Sequence, residues 1–485
     1  MTSFLIALAV LVGGYFIYGT LCCRIFGVDP SRKVPAETKF DGVDFVPLPT
    51  WKVFLIQFLN IAGLGPIFGA IMGIMFGPAA FIWIVAGTIF AGAVHDFMSG
   101  MMSLRSGGDS LPELVGRELG PSIKQTMRIV SVALLILVGA VFIINPADLL
   151  AGMTPDYLTT TVWIIAIFAY YVLATLLPID KVIGNLYPLF GLALLFMAAG
   201  LLYVLLFGDV TIPDGFADGM FNRKADPDTY PIFPMMFISI ACGAISGFHA
   251  TQSPMMARCL KNENLGRPIF YGAMVAEGIV ALIWAAAAIA FTGGYDQLAA
   301  YMAEHGNKPA ALVNEISITW LGSFGGILAL LGVIAAPITT GDTALRSARL
   351  IVADFLHIGQ KKFVSRMAVS LPIFALCFAV MLIDYRMLWN YFAWINQTLS
   401  VFTLWAVTVY LARHNRFYFI SLVPALFMTM VSVSFILTAK APEGFGISLP
   451  VSLTCAGAVA CLILSLFIRY VRLLRSGRLV HEVGY

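Results

Sequence analysis

Charge is scarce in this chain. Asp, Glu, Lys and Arg make up 11% of its 485 residues, against 60% hydrophobic. A soluble domain of this size cannot present so apolar a surface, so the composition implies an all-α polytopic membrane protein. The 29 basic and 26 acidic side chains leave a net charge of only +3. No basic stripe is long enough to track a phosphate backbone, which excludes a nucleic-acid partner. The seven cysteines lie in or beside apolar stretches and show no zinc-finger spacing and no extracellular framework. They read as small packing residues. The six histidines include no His-x-x-x-His pair, so neither a metal nor a cofactor is expected. Nucleophile elbow, phosphate loop and dinucleotide fingerprint are all missing, which argues against an enzyme and against ATP-driven transport.

What the chain does have is long apolar runs. Thirteen segments approach the ~20 residues that a bilayer core needs. They are 3–22, 52–77, 79–102, 125–147, 159–178, 184–207, 232–257, 270–291, 322–341, 366–383, 388–411, 416–438 and 448–470. The first has no basic residue ahead of it and Arg24 behind it, and reads as a retained spanning helix rather than a cleaved leader. With the N-terminus outside, the cytoplasmic connections hold 24 of the 29 Lys and Arg. That bias predicts thirteen spans with the C-terminus in the cytoplasm.

Two of these segments are interrupted. The first carries Asn60-Ile-Ala-Gly-Leu-Gly-Pro66 and the second Cys242-Gly-Ala-Ile-Ser-Gly-Phe-His-Ala-Thr-Gln-Ser-Pro254. Inside hydrocarbon a broken helix exposes backbone groups that lipid cannot satisfy, so breaks survive where they line a cavity or bind something. Without the first span and the last two, ten remain, and the broken ones head two groups of five. An odd number per group inverts the second, which predicts an inverted five-plus-five repeat with its binding site at the breaks. The halves share no evident residue identity. The expected division is an extra N-terminal helix and loop (1–51), a first repeat (52–207), an extracytoplasmic loop (208–231), a second repeat (232–411) and two C-terminal helices with a tail (412–485).

The breaks supply the substrate-site candidates: Asn60, Gly63 and Gly65 in the first, and Gly243, Ser246, Gly247, His249, Thr251 and Gln252 in the second. Glycine permits close backbone approach, and half-helix ends offer oriented N–H and C=O groups. Histidine is the side chain suited to exchanging protons near neutral pH, which makes His249 a proton-coupling candidate; the alternative is a plain hydrogen bond to a carbonyl. Thr339, Thr340 and Asp342 are read as ending a span, with oxygens suited to a cation or a proton. Asp342 alternatively pairs with Arg346 at i, i+4. His95 and Asp96 lie at membrane depth and serve as a proton relay, or else Asp96 pairs with a loop residue such as Arg105. Glu277 is a further buried acid, functional or structural.

At these stretches the sequence resembles the carbon starvation protein A family. The resemblance is carried by Ala241–Glu263, Ile89–Phe97, Leu177-Pro-Ile-Asp-Lys181, Pro337–Arg349 and Asn396-Gln-Thr-Leu399. It implies proton-coupled uptake of pyruvate or of small peptides. It also implies kinship with the amino acid–polyamine–organocation superfamily and its LeuT-like repeat. One departure stands out. Many members carry a His-His pair where this chain has Ile56 and Gln57, which puts any role of that pair in doubt here.

The expectation is therefore a secondary transporter in a prokaryotic inner membrane, with a small carboxylate and protons as its partners. Peptide uptake is one alternative, and a ligand sensor that does not transport is another. A sodium-coupled or metal-handling transporter is the third.

Overall fold

The computed structural model describes all residues except 43, 177–178, 215–218, 361, 384 and 478–485. The Leu177–Lys181 motif falls partly outside the described residues. Among those described, every regular element is helical.

In chain order the membrane-length elements begin with α1 (Thr2–Phe26) and a bent pair, α2 (Thr50–Ile61) and α3 (Gly65–Ile74). They continue with α4 (Ala79–Arg105), the short amphipathic α5 (Leu111–Leu119), α6 (Pro121–Met153), α7 (Thr160–Leu176) and α8 (Ile179–Phe207). The second part holds α9 (Gly247–Ala257), α10 (Glu263–Thr292), α11 (Tyr295–Glu304), α12 (Pro309–Ala329) and α13 (Ala336–Leu356). It ends with α14 (Phe363–Val380), α15 (Tyr385–Arg413), α16 (Phe419–Thr438) and α17 (Leu449–Arg475). Local chemistry sets several boundaries. Gly27, at φ 74°, turns back so that its N–H caps Cys23 O at the end of α1. Gly293, at φ 91°, does the same for α10. These are left-handed caps that glycine adopts at little cost.

Among the described residues, ten helices are long and apolar enough to cross a membrane, and the α2/α3 pair, bent by 52°, makes up to eleven. The thirteen-segment reading differs at three places. Residues 159–178 form a shorter apolar helix, Thr160–Ala174. Residues 232–257 form two short helical pieces, Ile232–Ser239 and α9, with an unwound stretch between them. Residues 322–341 differ in their bounds and not in the count, since a span is counted at Pro309–Leu328. The backbone kinks at Gly322, at φ 63° and ψ −156°, and the helix then runs on through a π turn at Leu330–Ala335 into α13.

That continuity corrects the reading of Thr339, Thr340 and Asp342 as the end of a span. They lie in the first two turns of a helix that reaches Leu356. Pro337 follows directly on the π turn inside this continuous helix, so it does not end the span.

The outer surface is apolar, with Ile17, Leu371 and Leu462 exposed. The centre is polar by comparison: α2, α4, α9, α10 and α13 pack on one another there. Between apolar helices in lipid there is little hydrophobic drive, so close packing of small residues and interhelical hydrogen bonds hold the bundle. α10 shows this, with Ala281 and Ala285–Ala288 fully buried.

Candidate functional site

The two interruptions cross each other. A Cβ placed on Gly65 would lie 2.0 Å from the Cβ of Cys242, and one on Gly243 would lie 3.6 Å from Pro66 Cα. Gly65 is therefore required by the opposite break. Gly247 is required by α15, since its Cβ would meet Asn396 O and Ser400 N at 2.4 Å each. A Cβ on Gly63 would meet the Phe142 ring at 2.9 Å and Thr340 Oγ1 at 3.5 Å. These glycines bring helices together.

Side chains of neighbouring helices satisfy the backbone that the breaks expose. Gln397 Nε2 donates to both Ala241 O and Ile245 O, each at 3.1 Å. Asn396 Oδ1 accepts from Phe248 N at 2.7 Å and from Ser246 Oγ at 3.0 Å. Thr88 Oγ1 donates to Gly243 O at 3.2 Å. At the first break Thr340 Oγ1 donates to Leu59 O at 3.0 Å, and Thr343 Oγ1 to Asn60 Oδ1 at 3.4 Å. α13 thus braces the first break, while α15 and α4 brace the second. Asn396 and Gln397 stood inside a recognised motif but were not assigned to the site. Their meaning needs a partner about 150 residues away, and periodicity does not show that.

Several expected substrate residues are therefore already engaged. Ser246 bonds Asn396, Thr251 Oγ1 donates to Phe248 O at 2.6 Å, and Gln252 Nε2 donates to Thr251 Oγ1 at 2.9 Å. Among the described residues, the buried polar atoms without a hydrogen-bond partner include Asn60 Nδ2, Gln252 Oε1 and both amide atoms of Gln57. Each is an unfilled donor or acceptor that a bound polar molecule would satisfy.

A second cluster lies beside this site. His95 and Asp96 follow a π turn at Gly87–Gly92 in α4. Asp96 bridges two rings: Oδ1 is 2.7 Å from His95 Nδ1, and Oδ2 is 2.9 Å from His249 Nδ1. On the far side of the His249 ring, Nε2 is 3.5 Å from Glu277 Oε2. All four side chains are fully buried. Asp96 does not pair with Arg105. That guanidinium reaches Glu263 at 2.5 Å and Gly27 O at 2.6 Å, because it lies more than two helical turns further along α4. The cluster also excludes Asp342, whose carboxylate accepts from Tyr187 Oη at 2.5 Å. Arg346 Nη2 donates to Ala174 O at 2.6 Å.

The sequence profile described as Carbon starvation protein CstA matches residues 1–160 and 150–323. The chain belongs to that family. An uncharacterized membrane protein of Haemophilus influenzae is 44% identical over 341 residues, which cover 60% of this chain and 91% of that protein. The Escherichia coli pyruvate/proton symporter BtsT is 29% identical over 327 residues, 54% of this chain and 45% of BtsT. The Escherichia coli peptide transporter CstA is 27% identical over 331 residues, 56% of this chain and 47% of that transporter. The chain thus aligns with about half the length of these named transporters. Among solved structures, a mutant of the manganese transporter of Eremococcus coleocola superposes with a TM-score of 0.52 at 13% identity. It covers 90% of this chain and 99% of that one. The likeness is one of fold.

Proposed function

We propose that this chain is a proton-coupled secondary transporter that takes up a small carboxylate such as pyruvate by alternating access. The observation that carries the proposal is the crossing of the two interrupted helices, with partnerless polar atoms of Asn60, Gln57 and Gln252 buried beside it. Interrupted helices at membrane depth are where transporters build their sites, and half-helix N-termini favour a carboxylate. Asn60 and Gln252 would bind substrate. Thr339, Thr340 and Asp342 would form the cation or proton site on α13, with His95, Asp96 and His249 carrying protons. The named relatives supply both substrate classes. Peptide uptake is the second reading, favoured by neutral Gln57, which can both donate to and accept from an amide backbone.

The test is uptake of labelled pyruvate and of a labelled dipeptide into proteoliposomes, with and without an inward proton gradient. Gradient-driven accumulation of pyruvate is expected. Accumulation of the dipeptide alone selects the second reading. Sodium-driven uptake without a proton requirement overturns the coupling assignment. Binding without any transport would leave a sensor.

A further inference from the structure

Glu277 has no place in the mechanism so far. It is a fully buried carboxyl in an alanine-rich helix, with neither oxygen hydrogen-bonded. Among the described residues, the titratable groups acting on it are His249, Asp96 and the Cys242 thiol.

We propose that Glu277 and His249 together hold one transported proton, making Glu277 the end of a relay that runs from His95 through Asp96 and His249. The inference rests on the proton-coupled reading above and deepens it. An ionised carboxylate only accepts, so with Asp96 ionised both imidazole Nδ1 atoms facing it carry hydrogen. Each neutral ring then presents a bare Nε2. On His249 that atom lies 3.5 Å from Glu277 Oε2. Two bare acceptors repel at that distance. One proton between them makes the contact attractive, either as Glu277 O–H to Nε2 or as Nε2–H to the carboxylate. Without it, two carboxylates flank one neutral ring in a site remote from water, an arrangement that burial penalises. His95 Nε2, also without a partner, is the other end of the relay.

Position supplies the coupling. His249 is the third residue of α9, which begins directly after the unwound stretch. When the proton leaves, repulsion between His249 and Glu277 acts on the N-terminal turn of α9 against α10. Proton occupancy and the position of a half-helix at the break are thereby linked.

Glu277→Gln tests this, because the amide keeps the volume and donates permanently to His249. In proteoliposomes the variant is expected to lose gradient-driven accumulation at least tenfold while retaining exchange of labelled for unlabelled substrate without a gradient. Accumulation at the wild-type level overturns the assignment, as does equal loss of both activities in a correctly inserted variant. A readout independent of substrate is thermal melting of the purified protein between about pH 6 and about pH 9. The wild type should lose stability as the shared proton leaves, and Glu277→Gln should show a flatter profile. Parallel profiles overturn the assignment even if the substrate proves different. A flattened profile in a protein that transports neither probe upholds the shared proton and places the failure in the substrate reading. If Glu277→Gln fails to insert, Glu277→Asp decides the matter. A shorter carboxyl should shift the pH dependence, and a wild-type profile overturns the proposal.

Discussion

Replacing Gly65 by alanine tests whether the two interruptions bear on one another as the structure shows. The new Cβ would lie 2.0 Å from Cys242 Cβ and 2.4 Å from its sulfur. Ordinary carbon contact begins near 3.5 Å, so one break must retreat by about 1.5 Å. Neither side gives easily. Cys242 is buried and its segment is held by Gln397, Asn396 and Thr88. Overpacking of this kind costs about 1–3 kcal/mol, and the first two of those correspond to a roughly 5- to 30-fold change in a conformational equilibrium. Uptake should fall by a comparable factor, and the melting temperature should fall with it. The sharper test is the double variant Gly65→Ala/Cys242→Gly, which removes the opposing Cβ. It should recover most of the stability lost by Gly65→Ala, although Cys242→Gly alone is destabilising. A coupling energy near zero in that cycle would refute the crossing of the breaks.

Three further outcomes are expected. Gln397→Leu deprives two buried carbonyls of their donor at a cost of roughly 1–3 kcal/mol each at most. It should lower the melting temperature and uptake together, and an unchanged melting temperature would contradict the bracing of the second break. Asp342→Asn should reduce uptake under a proton gradient, and wild-type transport in that variant removes Asp342 from the coupling role. Lys224 lies in the connection after α8, 4.7 Å from the Phe76 ring centre, and burial lowers its pKa to about 8. Its folded value lies below its unfolded one, so its charged form opposes folding below about pH 8, and stability rises with pH from there toward the unfolded value. Lys224→Met should raise stability near neutrality by about 1 kcal/mol, with the gain fading in alkaline solution. A gain independent of pH would exclude titration as the cause.

Much of the fold was legible because a bilayer imposes a length and a composition on every span. The breaks were legible because glycine and proline are conspicuous in apolar runs. Three things were not. The stretch ending at Asp342 looked like a helix terminus, since Pro337 and Gly341 punctuate it. In the structure the helix runs on past Pro337 to Leu356, and a Cβ at Gly341 would lie 2.0 Å from Tyr171 Oη. The bracing by Asn396 and Gln397 was hidden because polar residues in an apolar helix announce a partner without naming it. The pairing of Asp96 stayed open, with a loop residue such as Arg105 as one alternative to the relay. Asp96 contacts its neighbour His95, as the relay reading had it, but its second partner, His249, is 153 positions away and nothing in the sequence spacing marks it.

The arrangement also explains why an unwound segment can persist in this bundle. Unwinding 240–246 exposes carbonyls of Ala241, Gly243 and Ile245, and each receives a donor from a helix that is itself continuous there. The break is therefore a fixed structure with defined partners, held from α4 and α15. α9, directly after it, contacts Asp96 through His249 and is bonded at its start to Asn396. One short helix thus joins a backbone clamp to a titratable contact. A change in the contact can move α9 only by working against the clamp. That geometry favours two discrete packings of α9 over a continuous slide, because the bond from Phe248 N to Asn396 is either made or broken. Alternating access requires a bistable element of this kind, and in this chain α9 is the element on which the break, the clamp and the protonatable pair converge.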